Sequence, residues 1–207
     1  MPRSVPLSDV PAVVLCGGRG TRLGERTKRI PKPMVTIGGQ PVLWHLVRYY
    51  ASFGVRRFIL CLGYKADVIR SWAERHPIAG VEVACVDTGE EAMTGARVKR
   101  VEHHLGDSDI FLCTYGDGLA DVDISELIAF HRSHGRLATV TGVHPPSRFG
   151  ELEIEGDSVV GFAEKPPSHQ WINGGFFACT PRLFDELDDD DSCVLERDPF
   201  ERMAKSG

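Results

Sequence analysis

The sequence has no long run of apolar residues. Of its 207 residues 42% are hydrophobic, but no stretch approaches the length needed to span a lipid bilayer. Residues 1–11 are polar and contain proline, and they lack the apolar core of a secretory signal. We therefore expect a soluble protein without a membrane partner that works in the cytoplasm.

The chain also lacks an excess of basic residues. It carries 24 Lys and Arg against 29 Asp and Glu, a formal net charge of −5, and no basic stretch interleaved with aromatic residues. A nucleic-acid partner is therefore not expected, and small-molecule partners are favoured. The length is enough to bury one substantial core and predicts a single domain over residues 1–207.

Closely spaced cysteines are missing as well. The six cysteines are scattered and mostly have apolar neighbours: Cys16, Cys61, Cys85, Cys113, Cys179 and Cys193. Without a Cys-x-x-Cys pair, neither a zinc site nor a disulfide framework is indicated. We expect reduced thiols packed in strands, in agreement with a cytoplasmic location.

Glycine, by contrast, is concentrated near the N-terminus in the segment Gly17-Gly18-Arg19-Gly20-Thr21-Arg22, which Pro31-Lys32-Pro33 follows. Glycine has no Cβ, so consecutive backbone N–H groups can turn inward around a polyphosphate, with Arg22 and Lys32 supplying full charges. The segment is not a Walker A loop, because no Gly-Lys-Ser/Thr follows, nor a dinucleotide fingerprint, because Leu23 replaces the third glycine. We interpret it as a phosphate-binding loop; a tight strand-to-helix turn with surface charges is the alternative.

Apolar strand patterns and helical patterns alternate through the first two-thirds of the chain. Strands are predicted at residues 12–16, 57–62, 81–86, 109–114 and 138–143, and helices at residues 42–53, 66–75, 96–105 and 125–133. This alternation predicts an α/β fold in which a mostly parallel sheet is covered by helices. After Gly150 the pattern changes to a β-hairpin at residues 151–163, a strand at 175–179 and a short helix at 181–187.

Polar motifs follow several predicted strands. Asp87-Thr88-Gly89 and Tyr115-Gly116-Asp117-Gly118 both do so, as does the glycine-rich segment. The carboxyl ends of parallel strands meet at one edge of a sheet, so these motifs are expected to face one cleft. Asp117 is the best candidate Mg²⁺ ligand, because a hard carboxylate between glycines leaves room for the ion and its waters. The alternative is a strand-end turn aspartate.

A series of short motifs runs in order along nearly the whole chain, from about residue 12 to the C-terminus. The motifs are Gly17-Gly18-Arg19-Gly20-Thr21-Arg22-Leu23, Pro31-Lys32-Pro33-Met34, Ile37-Gly38-Gly39, Leu43-Trp44-His45, Asp87-Thr88-Gly89, Met93-Thr94-Gly95, Tyr115-Gly116-Asp117-Gly118, Glu164-Lys165-Pro166 and Asn173-Gly174-Gly175. This series resembles the sugar-1-phosphate nucleotidylyltransferase family and, within it, the glucose-1-phosphate cytidylyltransferases. Ordered agreement of this kind is far more specific than any single motif.

The resemblance implies a fold and a reaction. The fold is a three-layer α/β/α Rossmann-like domain of the nucleotide-diphospho-sugar transferase type, with a nucleotide-binding part at about residues 12–145 and a sugar-phosphate-binding part at about 146–207. The reaction is Mg²⁺-dependent transfer from CTP to α-D-glucose 1-phosphate, giving CDP-glucose and pyrophosphate for deoxysugar or cell-surface polysaccharide synthesis. A homo-oligomer is implied. A C-terminal segment with a second metal-binding aspartate is also implied, and a chain ending at Gly207 is expected to lack it.

The resemblance also implies site residues. The expected nucleotide contacts are Leu15, Gly17, Gly18, Gly20, Thr21, Arg22, Lys32, Thr88, Gly89, Thr94, Gly95, Arg97 and Gly116. The expected sugar-phosphate contacts are Tyr115, Gly150, Glu164, Lys165, Asn173 and Gly174. The expected catalytic residues are Arg22, Lys32 and Asp117, of which Asp117 holds the metal.

Base choice is predicted to depend on Arg97. Cytosine presents O2 and N3 as acceptors, and a guanidinium could donate to both, whereas the N3–H of uracil would be rejected. The segment Met93-Thr94-Gly95-Ala96-Arg97 resembles the cytidylyltransferase type. The alternative is a solvated helix arginine beside Lys99 and Arg100.

We interpret the histidines as having no catalytic or metal-binding role. His103-His104 and His131-x-x-His134 fall on predicted helices with polar neighbours and no matching carboxylates, so surface positions are expected. His45 is interpreted as helix packing near the cleft.

Three other functions stay open. The chain could use UTP or dTTP in place of CTP, or bind a nucleotide or sugar phosphate without catalysis. It could also be a glycosyltransferase of similar architecture with Asp121-Val122-Asp123 as the metal motif. The last alternative leaves the glycine-rich segment and Pro31-Lys32-Pro33 without a role.

Overall fold

The computed structural model describes residues 6–20, 30–168 and 170–206. Within these ranges the strands are β1 (Pro11–Leu15), β2 (Thr36–Ile37), β3 (Gln40–Pro41), β4 (Arg57–Leu62), β5 (Glu82–Asp87), β6 (Phe111–Tyr115), β7 (Ala138–Val143), β8 (Glu151–Glu155), β9 (Ser158–Ala163) and β10 (Ile172–Cys179). The α-helices are α1 (Val42–Ser52), α2 (Ala66–Arg75), α3 (Thr94–Lys99), α4 (Ile124–His134) and α5 (Asp198–Ser206). Short 3-10 helices cover Leu7–Asp9, Lys32–Met34, Glu102–His104 and Pro181–Glu186.

The central sheet has six strands in the order β5-β4-β1-β6-β10-β7. Strand β1 pairs in parallel with β4 and β6, β4 pairs in parallel with β5, and β10 is antiparallel to both β6 and β7. The predicted mostly parallel sheet is therefore confirmed. In the register of β1 and β6, Leu15 lies opposite Tyr115, so the segments after these strands leave the sheet side by side.

Two apolar clusters cover the two faces of the sheet. Along β1, Val14 belongs to one cluster and Val13 to the other, as expected from the period of two in a strand. Side chains of α1, α2 and α4 fill the first cluster, among them Leu46. Side chains of α3 and of the Pro181–Glu186 helix fill the second, where Phe111 stacks on Phe184 with ring centroids 5.2 Å apart. This arrangement confirms the three layers.

The β-hairpin formed by β8 and β9 lies outside the central sheet. Its two strands are antiparallel, and the turn between them uses Gly156 at a φ of 59°. Both strands have the predicted bounds. Bonds from Ser147 N to Pro166 O (2.8 Å) and from Ser168 N to Pro145 O (2.9 Å) close the base of the hairpin.

Several elements differ from the sequence prediction. The predicted helix at residues 96–105 is two elements, because its hydrogen bonds tighten from Arg100 N–Ala96 O to Val101 N–Val98 O, a 3-10 spacing. The short helix predicted at 181–187 is a 3-10 helix, strand β10 begins earlier than predicted, and helix α5 is not predicted. No described helix is both long enough and apolar enough to cross a membrane.

The surface position predicted for His131 is wrong. The ring is 1% exposed on the face of α4 that packs against β7, where Nδ1 lies 2.8 Å from Thr139 Oγ1. His134 Nε2 lies 2.7 Å from the same oxygen. The hydroxyl can donate to one ring and accept from the other, which allows both histidines to pack against the sheet.

We predict that acidification destabilises the protein through His131. Burial of the ring, with the nearby His134 and Arg132, lowers its pKa to about 4 against the opposing effect of Asp109. An unfolded histidine has a pKa of about 6.5, so between these values the unfolded chain binds a proton that the buried ring does not. Stability should fall as the pH drops from 7 to 4.5. In urea unfolding, this fall should be about 1–2 kcal/mol larger for the wild type than for His131→Gln.

The matched control is His103→Gln, because His103 is exposed. It should keep the pH dependence of the wild type. The same pH dependence in all three proteins would show that His131 binds its proton equally well in both states.

Candidate functional site

A cavity of about 550 Å³ opens where β1 and β6 end. It is lined by residues of the glycine-rich segment, by Lys32 with Pro33, by residues 90–94, and by Tyr115 with Asp117. Its volume suits a ligand of nucleotide size. Two of the three strand-end motifs predicted to face one cleft therefore line this cavity, whereas Asp87-Thr88-Gly89 does not and the residues that follow it do.

Nine of the predicted site residues line this cavity. They are Leu15, Gly17, Gly18, Gly20, Lys32, Thr94, Arg97, Tyr115 and Asp117. Thr21 and Arg22 lie outside the described residues, so their predicted roles stay predictions.

Lys32 and Asp117 form an ion pair across the cavity wall. Lys32 begins a 3-10 helix after Pro31, and Asp117 follows β6. Their side chains are 35% and 23% exposed, so both can be reached from the cavity. The site therefore holds one cation and one carboxylate at the position where phosphate and a divalent ion are expected to meet.

Gly116 explains how Asp117 reaches the glycine-rich segment. Its N–H donates to Leu15 O at 2.9 Å, and a Cβ at this position would lie 2.7 Å from Cys16 Sγ. Only glycine allows the turn after β6 to pack this closely against the end of β1. In the structure Gly116 contacts β1, and its predicted contact with the nucleotide stays a prediction.

Arg97 lines the inner side of the cavity and is buried, with only 3% of its surface exposed. Its Nη1 donates to Leu62 O (3.0 Å), Thr88 Oγ1 (2.9 Å) and Gly89 O (2.7 Å). Its Nη2 donates to Gly17 O (3.0 Å) and Glu90 O (3.2 Å). The guanidinium therefore joins the glycine-rich segment, the end of β4 and the segment after β5.

The interpretation of Arg97 as a solvated helix arginine is wrong. Burial lowers the pKa of its guanidinium, and the surrounding oxygens replace the water it has lost. The predicted contact of Arg97 with cytosine stays a prediction. Both terminal nitrogens already donate to protein oxygens, so such a contact requires the guanidinium to exchange a partner.

Three further predicted nucleotide contacts lie behind the cavity wall. Thr88 is buried and donates to Leu62 O at 2.7 Å, and Gly89 accepts from Arg97. Gly95 packs against Cys193, since a Cβ there would lie 2.5 Å from Cys193 Sγ. These residues support the wall in the structure, and their contact with nucleotide stays a prediction.

Tyr115 and Asn173, two predicted sugar-site residues, are hydrogen-bonded to each other. Asn173 Nδ2 donates to the Tyr115 hydroxyl at 3.1 Å, and that hydroxyl donates to the Glu196 carboxylate. Burial, and after it the bond to Glu196, raise the pKa of Tyr115, which keeps the hydroxyl protonated. Sequence reasoning missed Glu196, because no motif marks the segment that carries it.

The other predicted sugar-site residues lie around the base of the hairpin. A Cβ at Gly150 would lie 3.1 Å from Glu164 Oε2, so these two residues are neighbours. Lys165 is exposed and has a φ of 47°, an uncommon conformation outside glycine that marks a constrained turn. Gly174 lies against β7, where a Cβ would be 2.9 Å from Thr141 O. None of these four lines the 550 Å³ cavity.

An ion pair that sequence reasoning also missed spans the cavity. Arg19 Nη2 lies 3.0 Å from Glu90 Oε1 and also pairs with Glu91, and all three residues line the cavity. In the sequence, the only signal for this ion pair was that Arg19 and Glu90-Glu91 lie next to residues predicted to contact the nucleotide.

Metal ligands are sparse in the described part of the chain, where no group of three or more His, Cys, Asp or Glu side chains could hold an ion. Mg²⁺ nevertheless fits Asp117, because this ion is held by one or two carboxylates together with substrate phosphates and water. Asp123, from the alternative glycosyltransferase motif, caps α4 by accepting from Ser125 N and Glu126 N. Both bonds use Oδ1, so one oxygen of this carboxylate is committed to the helix cap.

Comparison with known proteins gives consistent results. Residues 11–200 match the family described as nucleotidyl transferase. The chain is 42% identical to glucose-1-phosphate cytidylyltransferase of Salmonella typhimurium, over 95% of this chain and 84% of that protein. It is 39% identical to a probable glucose-1-phosphate cytidylyltransferase of Bacillus subtilis, over 95% and 85%. The structure of HddC from Yersinia pseudotuberculosis complexed with GMP-PN matches with a TM-score of 0.72 at 30% identity, covering 91% of this chain and 84% of that one.

We predict that Arg97→Ala strongly destabilises the fold. The substitution removes five hydrogen bonds of a buried side chain, takes the Arg97 donor from Gly89 O and Glu90 O and opens a cavity, so the expected loss in the free energy of unfolding is about 3 kcal/mol or more. Urea unfolding measures it. Arg48→Ala, on the exposed face of α1, is the matched control and should cost less than about 1 kcal/mol. Equal losses would show that water satisfies the carbonyls.

Proposed function

The chain belongs to the nucleotidyl transferase family, and from that premise we propose that it transfers the cytidylyl group of CTP to glucose 1-phosphate, giving CDP-glucose and pyrophosphate. The observation that carries the proposal is the meeting of the glycine-rich segment, Lys32 and Asp117 in one cavity. These groups suit phosphate binding, and the similarity to two cytidylyltransferases extends over 95% of the chain.

The proposed reaction needs charge compensation more than a covalent nucleophile. An oxygen of the sugar phosphate attacks the α-phosphorus of CTP in line, and pyrophosphate leaves. Since both reactants are anions, the barrier depends on repulsion and positioning. The backbone N–H groups of Gly17, Gly18 and Gly20 orient the triphosphate, while Lys32, and Arg22 by resemblance, neutralise the reacting phosphates.

We propose Mg²⁺ as the cofactor, held by Asp117. When bound, the ion supplies positive charge to the phosphate oxygens of the nucleotide. Asp117 is suited to this because its carboxylate reaches the cavity from the tight turn after β6. Lys32, its partner in the structure, then becomes available to phosphate.

The sugar phosphate is proposed to bind between the cavity and the hairpin. By resemblance Lys165 meets the sugar phosphate, and Glu164, Asn173 and Gly174 meet the sugar hydroxyls. Supporting observations are the bond between Asn173 and Tyr115 and the close approach of Gly150 to Glu164. For the base, we propose the wall lined by Thr94 and Arg97, which Thr88, Gly89 and Gly95 support from behind.

The proposal is tested by pyrophosphate release. The chain is incubated with Mg²⁺, glucose 1-phosphate and either CTP, UTP, dTTP, ATP or GTP. We expect release with CTP to exceed that with each other nucleotide by about 10-fold or more, since a misread base edge costs that much. Omitting glucose 1-phosphate should abolish release. Faster release with another nucleotide would reassign the base, and CTP binding without release would indicate a non-catalytic protein.

We predict that Lys32→Ala lowers kcat by about 100-fold or more, because its ammonium meets charge that develops on phosphate. Asp117→Asn should cause a similar loss and weaken the dependence on Mg²⁺ concentration. Both effects are measured by pyrophosphate release at saturating CTP. Lys205→Ala, an exposed lysine on α5, is the control and should keep wild-type kcat. An unchanged kcat in Lys32→Ala would remove Lys32 from the mechanism.

A further inference from the structure

We propose that Glu196 is a positioning residue that sets the orientation of Tyr115 and Asn173 for binding of the sugar phosphate. This inference rests on the proposed function. Glu196 does not itself line the 550 Å³ cavity, whereas its two hydrogen-bond partners, Tyr115 and Thr94, do. It therefore acts on the site through them.

The carboxylate is held from one side by Thr94. Thr94 Oγ1 donates to Glu196 Oε2 at 2.6 Å and accepts from Leu195 N at 2.9 Å. The same stretch of chain binds the start of α3, because Gly95 N donates to Cys193 O at 2.9 Å. Two contacts thus fix the carboxylate relative to a wall of the nucleotide cavity.

The other carboxylate oxygen determines the direction of a hydrogen-bond relay. Tyr115 has one hydroxyl proton, which it donates to Glu196 Oε1. Its lone pair is then available to Asn173 Nδ2, which donates at 3.1 Å. The Asn173 amide is fixed in turn because its Oδ1 accepts from Gly175 N at 2.8 Å. A group that only accepts at position 196 therefore leaves one orientation for each polar group in the relay.

The relay joins distant parts of the chain. Tyr115 and Glu196 are 81 residues apart in sequence, and Tyr115 and Asn173 are 58 apart. Asn173 belongs to β10, so the relay runs from the wall of the nucleotide cavity to the proposed sugar site. Loss of the carboxylate would free the Tyr115 proton to point at Asn173 and break that contact.

The test compares Glu196→Ala, Glu196→Gln, Tyr115→Phe and the double variant Glu196→Ala/Tyr115→Phe in pyrophosphate release. Glu196→Ala should raise KM for glucose 1-phosphate about 10-fold and KM for CTP less than about 3-fold. Glu196→Gln should stay within about 3-fold of wild type, because its amide oxygen can still accept from Tyr115 while its NH2 group donates to Thr94 Oγ1. The double variant should be no worse than about 2-fold beyond Tyr115→Phe, since both changes remove the same bond.

The control is Glu186→Ala, whose carboxylate lies 3.6 Å from Arg202 Nε, in an ion pair that involves no cavity residue. It should keep both KM values. Should Glu196→Ala not fold, Tyr115→Phe must by itself raise KM for glucose 1-phosphate about 10-fold. Any of three results would overturn the relay: effects that multiply in the double variant, equal effects of Glu196→Ala and Glu196→Gln, or equal increases in the two KM values.

Failure of the proposed function looks different. In that case the wild type releases no pyrophosphate with CTP, whereas failure of the relay leaves wild-type turnover intact. Binding of glucose 1-phosphate, measured by calorimetry, then tests the relay without turnover: about 10-fold weaker binding to Glu196→Ala than to Glu196→Gln supports it. Equal binding to the two variants, or no binding to the wild type, overturns it.

Discussion

The buried guanidinium of Arg97 is the contact on which the site depends. Backbone carbonyl oxygens at the ends of parallel strands and in the following segments must find donors if they are buried. Arg97 donates to Gly17 O, Leu62 O, Gly89 O and Glu90 O at once. The first two also accept from backbone N–H groups, those of Tyr64 and Thr88. No other side chain offers five donors in one plane. A single arginine can therefore hold three chain segments together. The cavity exists because these segments are held together.

The buried position of Arg97 explains why glycine is required at two nearby positions. A Cβ at Gly17 would lie 2.1 Å from Arg97 Nη1, and one at Gly63 would lie 2.4 Å from the same atom. Both positions must be glycine to admit the guanidinium. Gly18, by contrast, has no atom of the described residues, its chain neighbours aside, within 4 Å of the place where its Cβ would be. The glycine-rich segment therefore meets two demands, close packing on its inner side at Gly17 and open backbone toward the cavity at Gly18.

Local pattern predicted the fold and the place of the site well. The bounds of β4, α2 and β7 follow from apolar periodicity, and the nearness of the glycine-rich segment to Asp117 follows from the parallel order of β1 and β6. Buried polar residues could not be found this way. The sequence around Arg97 reads as an exposed helix, and its partner Gly17 is 80 residues away. The buried position of His131 and the hydrogen bonds of Glu196 were not predicted for the same reason. The partners of a buried polar group are not its neighbours in a local sequence pattern.

Five charged side chains of the cavity form ion pairs with one another. This pairing bears on the proposed binding of a nucleotide together with its metal ion. Arg19 pairs with Glu90 and Glu91, and Lys32 pairs with Asp117. A triphosphate without a metal ion would form an ion pair with Lys32. The carboxylate of Asp117 would then lose its partner and face the negative charge of the phosphates. A triphosphate that brings a divalent cation offers each member of the pair a new opposite charge, phosphate oxygen for Lys32 and metal for Asp117. The proposed binding would thus exchange the ion pair of Lys32 and Asp117 for two new ones and leave neither of these charges uncompensated.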